Sequence, residues 1–385
     1  MRKRDLFIFI WYLLPYLYLL FIKGVFLPLT GICLLLFFSS YFISLQFSKN
    51  FHIDSTFKFP SMKWIDGIIF LILLLQIWTI YRLSSQGLNL LSHRNLIWDD
   101  PSYLFGNSIL LTLYTIFLIP CVVIYTIILV VKGGQKRIFY LCLFILFIDS
   151  IIMLGRFQIL YIFFLLVIGS KSYKISFYRF IFIFFLLFVS TQFIIYFRQF
   201  FSDSSVDSPI NFITIKYIEN SIINYQYFGF LVFERLTSDT PFFGNLFSFN
   251  LLNFPFYLLS LVLTRFGVFI SNPWEGINLK LSEGYYFASI DSDINAFSTN
   301  FLPIYLDFGL MGILVFGIFA GIIFGIRGKS KILNFVQILL LFVIIFGLYQ
   351  PLILSIYGFT LFLFVVLLLV IKKIKTNLNN DYTKY

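Results

Sequence analysis

Charged side chains are scarce in this sequence. Lys+Arg 28 and Asp+Glu 17 make up 12% of 385 residues, against roughly 25% in a soluble domain. Half the usual charge cannot clothe a water-exposed surface, and a soluble globular protein is excluded. Cysteine is limited to Cys33, Cys121 and Cys142, all inside apolar runs. That excludes a disulfide framework and a cysteine-based metal site. The two histidines, His52 and His93, lie on different loops, which argues against a histidine metal cluster. A Walker A loop, HExxH, GxSxG and a dinucleotide fingerprint are all missing. ATP-driven transport, zinc proteolysis and serine hydrolysis therefore lose support.

What is present is hydrophobic: 60% of residues, with a mean hydropathy of +0.95. Crossing a hydrocarbon core takes about 20 apolar residues in a helix. Runs of that kind fall at 6–22, 25–47, 64–81, 108–131, 138–154, 157–169, 175–197, 301–326, 332–350 and 352–371. The expected fold is an all-α polytopic membrane protein of about ten transmembrane helices, a single integral membrane domain over 1–385. The fifth and sixth runs are separated only by Gly155-Arg156 and predict a tight or broken pair. The first run follows Arg2, Lys3 and Arg4 without a small-residue cleavage site, so an uncleaved signal-anchor is expected.

The net charge of +11 would suggest nucleic acid on a soluble chain. Here its distribution is a topology signal. Placing both termini inside puts nineteen of the 28 basic residues on the cytoplasmic side, and every short inner loop is basic. The outer side then carries a net charge of −4 and has two sizeable loops, 82–107 and 198–300. Nothing is left over for nucleic acid. The 198–300 loop is aromatic-rich, and helix-like stretches at 211–229 and 251–270 are expected to lie in the interface or re-enter the membrane. Binding and chemistry concentrate on loops held by a rigid scaffold, which points to the outer face.

Few outer residues can carry such chemistry. Arg156, between two apolar runs, is costly there and is a functional candidate by default. Asp149 precedes it by two helical turns and shares its face if the helix continues. Arg198, Arg235 and Arg265 are the arginines of the long loop, and their planar guanidinium groups suit phosphate. Candidate general bases are Glu234, Glu283, Asp291, Asp293 and His93. Asp307 lies about two turns into the eighth run, where a carboxylate is again expensive, and Tyr305 stands in the same stretch. Gly317, Gly321 and Gly325 recur every four residues and predict a close helix–helix contact.

Three features together resemble the Wzy-type O-antigen polymerases, the oligosaccharide repeat unit polymerases. They are Gly155-Arg156 between adjacent runs, the large loop after the seventh run, and the Asn300-Phe301…Tyr305-Leu306-Asp307-Phe308-Gly309-Leu310-Met311-Gly312 stretch that opens the eighth. The resemblance implies a GT-C-like glycosyltransferase of the bacterial inner membrane, working on the periplasmic face without metal or nucleotide cofactor. Its substrates would be undecaprenyl-diphosphate-linked oligosaccharides within the membrane lipid, and a chain-length regulator protein would be a partner. Arg156, Arg265, Arg198 and Arg235 would then stabilise the departing diphosphate. His93 or Asp293 would take the acceptor proton, and Glu234, Glu283, Asp307 and Tyr305 would contact sugar. The alternatives are an O-antigen ligase and a lipid-linked oligosaccharide flippase or other transporter.

Overall fold

The computed structural model describes residues 3–53, 59, 63–85, 103–153, 155, 157–183, 185–187, 189, 224–239, 250–263, 266–268, 277, 285–287, 292–294 and 299–382. The described chain is mostly helical, and it divides into two compact units, Met1–Phe57 with Ile215–Tyr385, and Lys58–Thr214.

Among the described residues five helices are long and apolar enough to cross a membrane: α1 (Lys3–Phe21), α2 (Pro28–Ser48), α3 (Lys63–Ser85), α4 (Ile109–Lys132) and, later in the chain, Phe301–Gly325. Shorter helices fall on the other expected runs. They are α5 (Lys136–Ile152), α6 (Phe157–Ser172), α7 (Phe177–Leu187), Lys331–Phe346 and the apolar part, Ile356–Val370, of a last helix that runs to Tyr382. Between α7 and Phe301 come α8 (Asn224–Asp239) and α9 (Asn253–Leu263). The last three helices are accordingly α10 (Phe301–Gly325), α11 (Lys331–Phe346) and α12 (Ile356–Tyr382). A short antiparallel pair, β1 (Tyr285–Phe287) and β2 (Ser292–Ile294), sets Asp293 opposite Tyr286. Large apolar side chains stand exposed along the long helices, among them Leu35 at 69%, Phe47 at 74% and Leu71 at 63%. Lipid, which is as apolar as these side chains, accounts for an arrangement that water would penalise.

In the unit built from the two chain ends, α2 and α10 are the closest pair. The glycine row of α10 faces Ser40, Ser44 and Ser48 of α2, and a Cβ on Gly317, Gly321 or Gly325 would run into those hydroxyls or the backbone behind them. Each serine folds its hydroxyl back onto a carbonyl one turn earlier, Ser44 onto Ser40 at 2.7 Å and Ser48 onto Ser44 at 2.7 Å. Small residues on both partners let the backbones approach and replace hydrophobic driving force with packing. At one end of α2 the buried Asp5 accepts from Tyr41 at 2.9 Å and pairs with Arg4, whose guanidinium lies 4.0 Å over the Phe324 ring. This ties α1, α2 and α10 together.

The helix α8 overlaps the 211–229 stretch only at 224–229 and is buried where it continues beyond it. Its residues Phe230, Leu231, Val232 and Phe233 are consecutive and all at most 1% exposed. Four buried residues in a row cover the full circumference, whereas a helix lying in an interface keeps one wet face. Phe230 meets Tyr12 of α1 at 6.4 Å, and Tyr12 in turn meets Phe37 and Phe301. A segment of the long loop is thus built into the core of the helical unit. Residues 211–223, where a helix is expected to begin, lie outside the described residues. The described part of the 251–270 stretch is the 11-residue α9, at about 1.5 Å per residue too short to cross about 30 Å of hydrocarbon.

In the Lys58–Thr214 unit, α3 to α6 pack around a core in which Tyr125 donates to Asp66 at 2.5 Å and Phe139 stacks on Tyr173 at 4.3 Å. The α5–α6 connection is tight. Met153 N–H returns to Asp149 at 2.9 Å and Gly155 N–H to Ser150 at 3.0 Å.

Candidate functional site

The N-terminal ends of α2 and α10, the start of α12 and the long-loop helices α8 and α9 converge at one end of the first unit. Its organisation follows from helix ends that need partners. The first N–H groups of any α-helix have no intrahelical acceptor. In α2 the N-cap is Leu27, which offers no side-chain acceptor, and Pro28 at the first position has no N–H to satisfy. Gly31 N–H reaches Leu27 O at 3.0 Å, which leaves Leu29 and Thr30. Both are met by Glu234 of α8, at 3.0 Å and 2.8 Å, and the Thr30 hydroxyl donates to the same carboxylate at 2.7 Å. A carboxylate 204 residues away in sequence is therefore the cap of α2, and its negative charge sits at the positive end of the helix dipole.

Asp307 does the same for the next part of the long loop. It is 1% exposed, and its two oxygens accept from Asn250 N at 2.9 Å, Asn250 Nδ2 at 2.9 Å and Leu251 N at 2.8 Å. The 250–252 turn that leads into α9 is thereby fastened to α10. Two residues on, Gly309 adopts φ 61°, ψ −151° and kinks α10. A Cβ is disfavoured at that conformation, so the Asp-Phe-Gly order joins the clamp to the bend. The expected straight eighth span is in fact two helical pieces.

Asn300, immediately before α10, closes the arrangement. Its backbone N–H donates to Gly347 O at 2.7 Å and its Nδ2 to Val343 O at 2.8 Å, while its Oδ1 accepts from Ile353 N at 3.2 Å. The end of α11 and the turn before α12 are held by this one side chain. Tyr305 is 8% exposed and meets Phe233 edge-on at 5.7 Å. Arg235, next to the capping glutamate, is exposed.

Of the residues expected at a site, the structure brings Glu234, Arg235, Tyr305 and Asp307 to this one end. Both Glu234 and Asp307 hold backbone N–H groups with their carboxylates. Asp293 is placed in β2, with only its strand position described. Arg156, Arg198, Arg265, His93 and Glu283 lie outside the described residues, as does Asp291. Among the described residues no group of three or more His, Cys, Asp or Glu side chains is arranged to hold a metal ion.

Sequence reasoning missed Asn300 as a clamp, although the residue stands in the stretch singled out above. It also missed Gln76 and Tyr114, which lie in the other unit. There Gln76 of α3, fully buried, donates from Nε2 to the Tyr114 hydroxyl at 2.7 Å and to Ile145 O at 3.0 Å. Gln76 is a strongly polar side chain in the middle of its apolar run, a signal that was available. Tyr114 opens a π-helical turn, Tyr114–Leu118, inside the fourth span.

No family model, no curated protein and no solved structure matches this chain.

Proposed function

We propose that the chain is a glycosyltransferase of the Wzy type, with about ten membrane spans, that joins lipid-diphosphate-linked oligosaccharide repeat units on the outer face of a bacterial inner membrane. The observation that carries the reading is the double carboxylate clamp. Glu234 and Asp307 fasten two parts of the long 198–300 segment to the ends of membrane helices. A segment so fastened is a preorganised surface. It holds Arg235 exposed beside the capped end of α2. This is where a reaction between two lipid-anchored glycans has to take place.

The chemistry sets what the remaining residues must do. The bond between the donor sugar and its diphosphate breaks, and a hydroxyl of the acceptor glycan bonds to that carbon. The lipid diphosphate leaves with its negative charge increased, and the acceptor loses a proton. Positive charge must be fixed where the diphosphate departs, the role assigned to Arg156, with Arg265, Arg198 and Arg235 as further donors. A base must receive the proton, and since both carboxylates of the clamp are engaged by amides, His93, Asp293 and Glu283 are the choices. The aromatic residues of the long segment provide faces for sugar rings.

The test is reconstitution. The purified chain in lipid vesicles is given undecaprenyl-diphosphate-linked repeat unit as sole substrate. Products of two and more repeats with release of undecaprenyl diphosphate support the proposal. An unchanged substrate pool, or mere transfer of intact substrate across the bilayer, rejects it.

A further inference from the structure

The Lys58–Thr214 unit contains a buried polar cluster that the proposed reaction does not use. Asp149 of α5 is 1% exposed, and neither of its carboxylate oxygens accepts a hydrogen bond. Tyr114 and Gln158 are its polar neighbours and stand near enough to turn a donor toward it, without reaching good hydrogen-bond geometry. Gln76, 0% exposed, spends its amide N–H groups on Tyr114 and Ile145 and leaves Oε1 without a donor. Gln158 Oε1 is likewise buried and without a donor. One cluster therefore holds four oxygen acceptors and one formal negative charge, with no cationic side chain set against them among the described residues.

Rotating the Gln76 amide does not repair this. The rotated oxygen would face the Ile145 carbonyl, acceptor against acceptor. An uncompensated carboxylate inside a membrane unit is expensive, and it is relieved either by a proton or by a bound cation. The oxygens that stand nearby are carboxylate, amide and phenol, and they carry a single charge between them. Hard oxygen donors with one carboxylate fit a small monovalent cation, whereas tight divalent sites recruit more carboxylates. The π turn that begins at Tyr114 adds a second indication. Such turns displace the regular carbonyl pairing and recur where a helix lines a site.

From this arrangement we infer that Asp149, Gln76, Gln158 and Tyr114 form a sodium-ion site within the helical unit. Sodium bound there neutralises Asp149 and ties α3, α4, α5 and α6 together. The ion acts on the folded unit, so its binding is read as stabilisation.

The experiment uses the full-length chain in detergent micelles. Its thermal unfolding midpoint is followed as NaCl replaces choline chloride at constant ionic strength. The inference predicts a saturable rise, roughly 3–6 °C once sodium exceeds its Kd a hundredfold. In Asp149→Asn the rise is lost, and in Gln76→Met it moves to higher sodium concentration. A ²³Na line-width measurement on the wild-type chain gives a second reading, with broadening that excess Li⁺ relieves. Equal midpoints in sodium and choline together with an unbroadened ²³Na line would overturn the site and leave Asp149 a protonated acid. A sodium response that survives intact in Asp149→Asn would overturn it equally. If Asp149→Asn does not fold, the wild-type titration and Gln76→Met still decide.

Discussion

Replacement of Glu234 is the most informative single perturbation of the clamp. Glu234→Ala removes three hydrogen bonds at once, from Leu29 N, Thr30 N and the Thr30 hydroxyl. Loss of an N-cap costs about 0.5–2 kcal/mol, and loss of the charge at the dipole about 0.3–1 kcal/mol more. Thr30 is fully buried, so its stranded N–H adds a desolvation term of about 1–3 kcal/mol. Glu234 itself is half-buried, so water reaches part of the vacated site and the terms do not add in full. A total of about 2–4 kcal/mol is expected, or a fall of roughly 2–5 °C in unfolding midpoint. Glu234→Gln keeps one acceptor oxygen and turns the other position into a donor that only the Thr30 hydroxyl can receive. It should lose about half as much. The assay is fluorescence-detected thermal unfolding of the full chain in detergent, with polymer formation measured on the same preparations. The cap argument fails if Glu234→Ala unfolds with the wild type. It also fails if Glu234→Gln keeps the wild-type midpoint yet makes no polymer, because that pattern belongs to a residue acting on substrate.

Further outcomes rest on the same geometry and chemistry. Asp307→Asn sets an amide donor against the N–H groups of Asn250 and Leu251 and should destabilise by about 2–4 kcal/mol. A cysteine introduced by Leu251→Cys should then react faster with a membrane-impermeant thiol reagent than it does with Asp307 intact. Gly321→Leu has to force α2 and α10 apart and should abolish accumulation of folded protein in fluorescence size-exclusion profiles. Ser44→Ala, whose hydroxyl only serves its own helix, should change the midpoint by less than about 1 kcal/mol equivalent. Arg156→Ala should lower the polymerisation rate by roughly 10²–10³ as a lost preorganised donor does. Arg156→Lys should recover little of that if the guanidinium fork matters, and normal chain-length ladders from Arg156→Ala at matched expression would sink the assignment.

Much of the helical layout can be read from the sequence, because an apolar run of about 20 residues has few other uses. The glycine row of α10 was legible for a similar reason: a four-residue repeat of Gly lies on one helix face whatever the rest of the fold does. Its partner row, Ser40, Ser44 and Ser48, has the same spacing and could have been paired with it. Asp307 was legible as a residue with a purpose, since burial of a carboxylate in an apolar run needs one, but the purpose was not. Its partners are Asn250 and Leu251, and those of Glu234 are Leu29 and Thr30 on the other side of two hundred residues. No local pattern links groups so far apart. The core position of Phe230 to Phe233 in α8 could not be read from the sequence, because the elements that bury them come from both chain ends. The π turn at Tyr114 has no side-chain signature at all.

The central claim concerns polymerisation, and the surface polysaccharide of a strain lacking this chain tests it most directly. The account predicts loss of the long-chain ladder on electrophoresis with retention of surface lipid capped by a single repeat unit, restored by the wild-type chain. An undisturbed ladder, or surface lipid bearing no repeat unit at all, would contradict it.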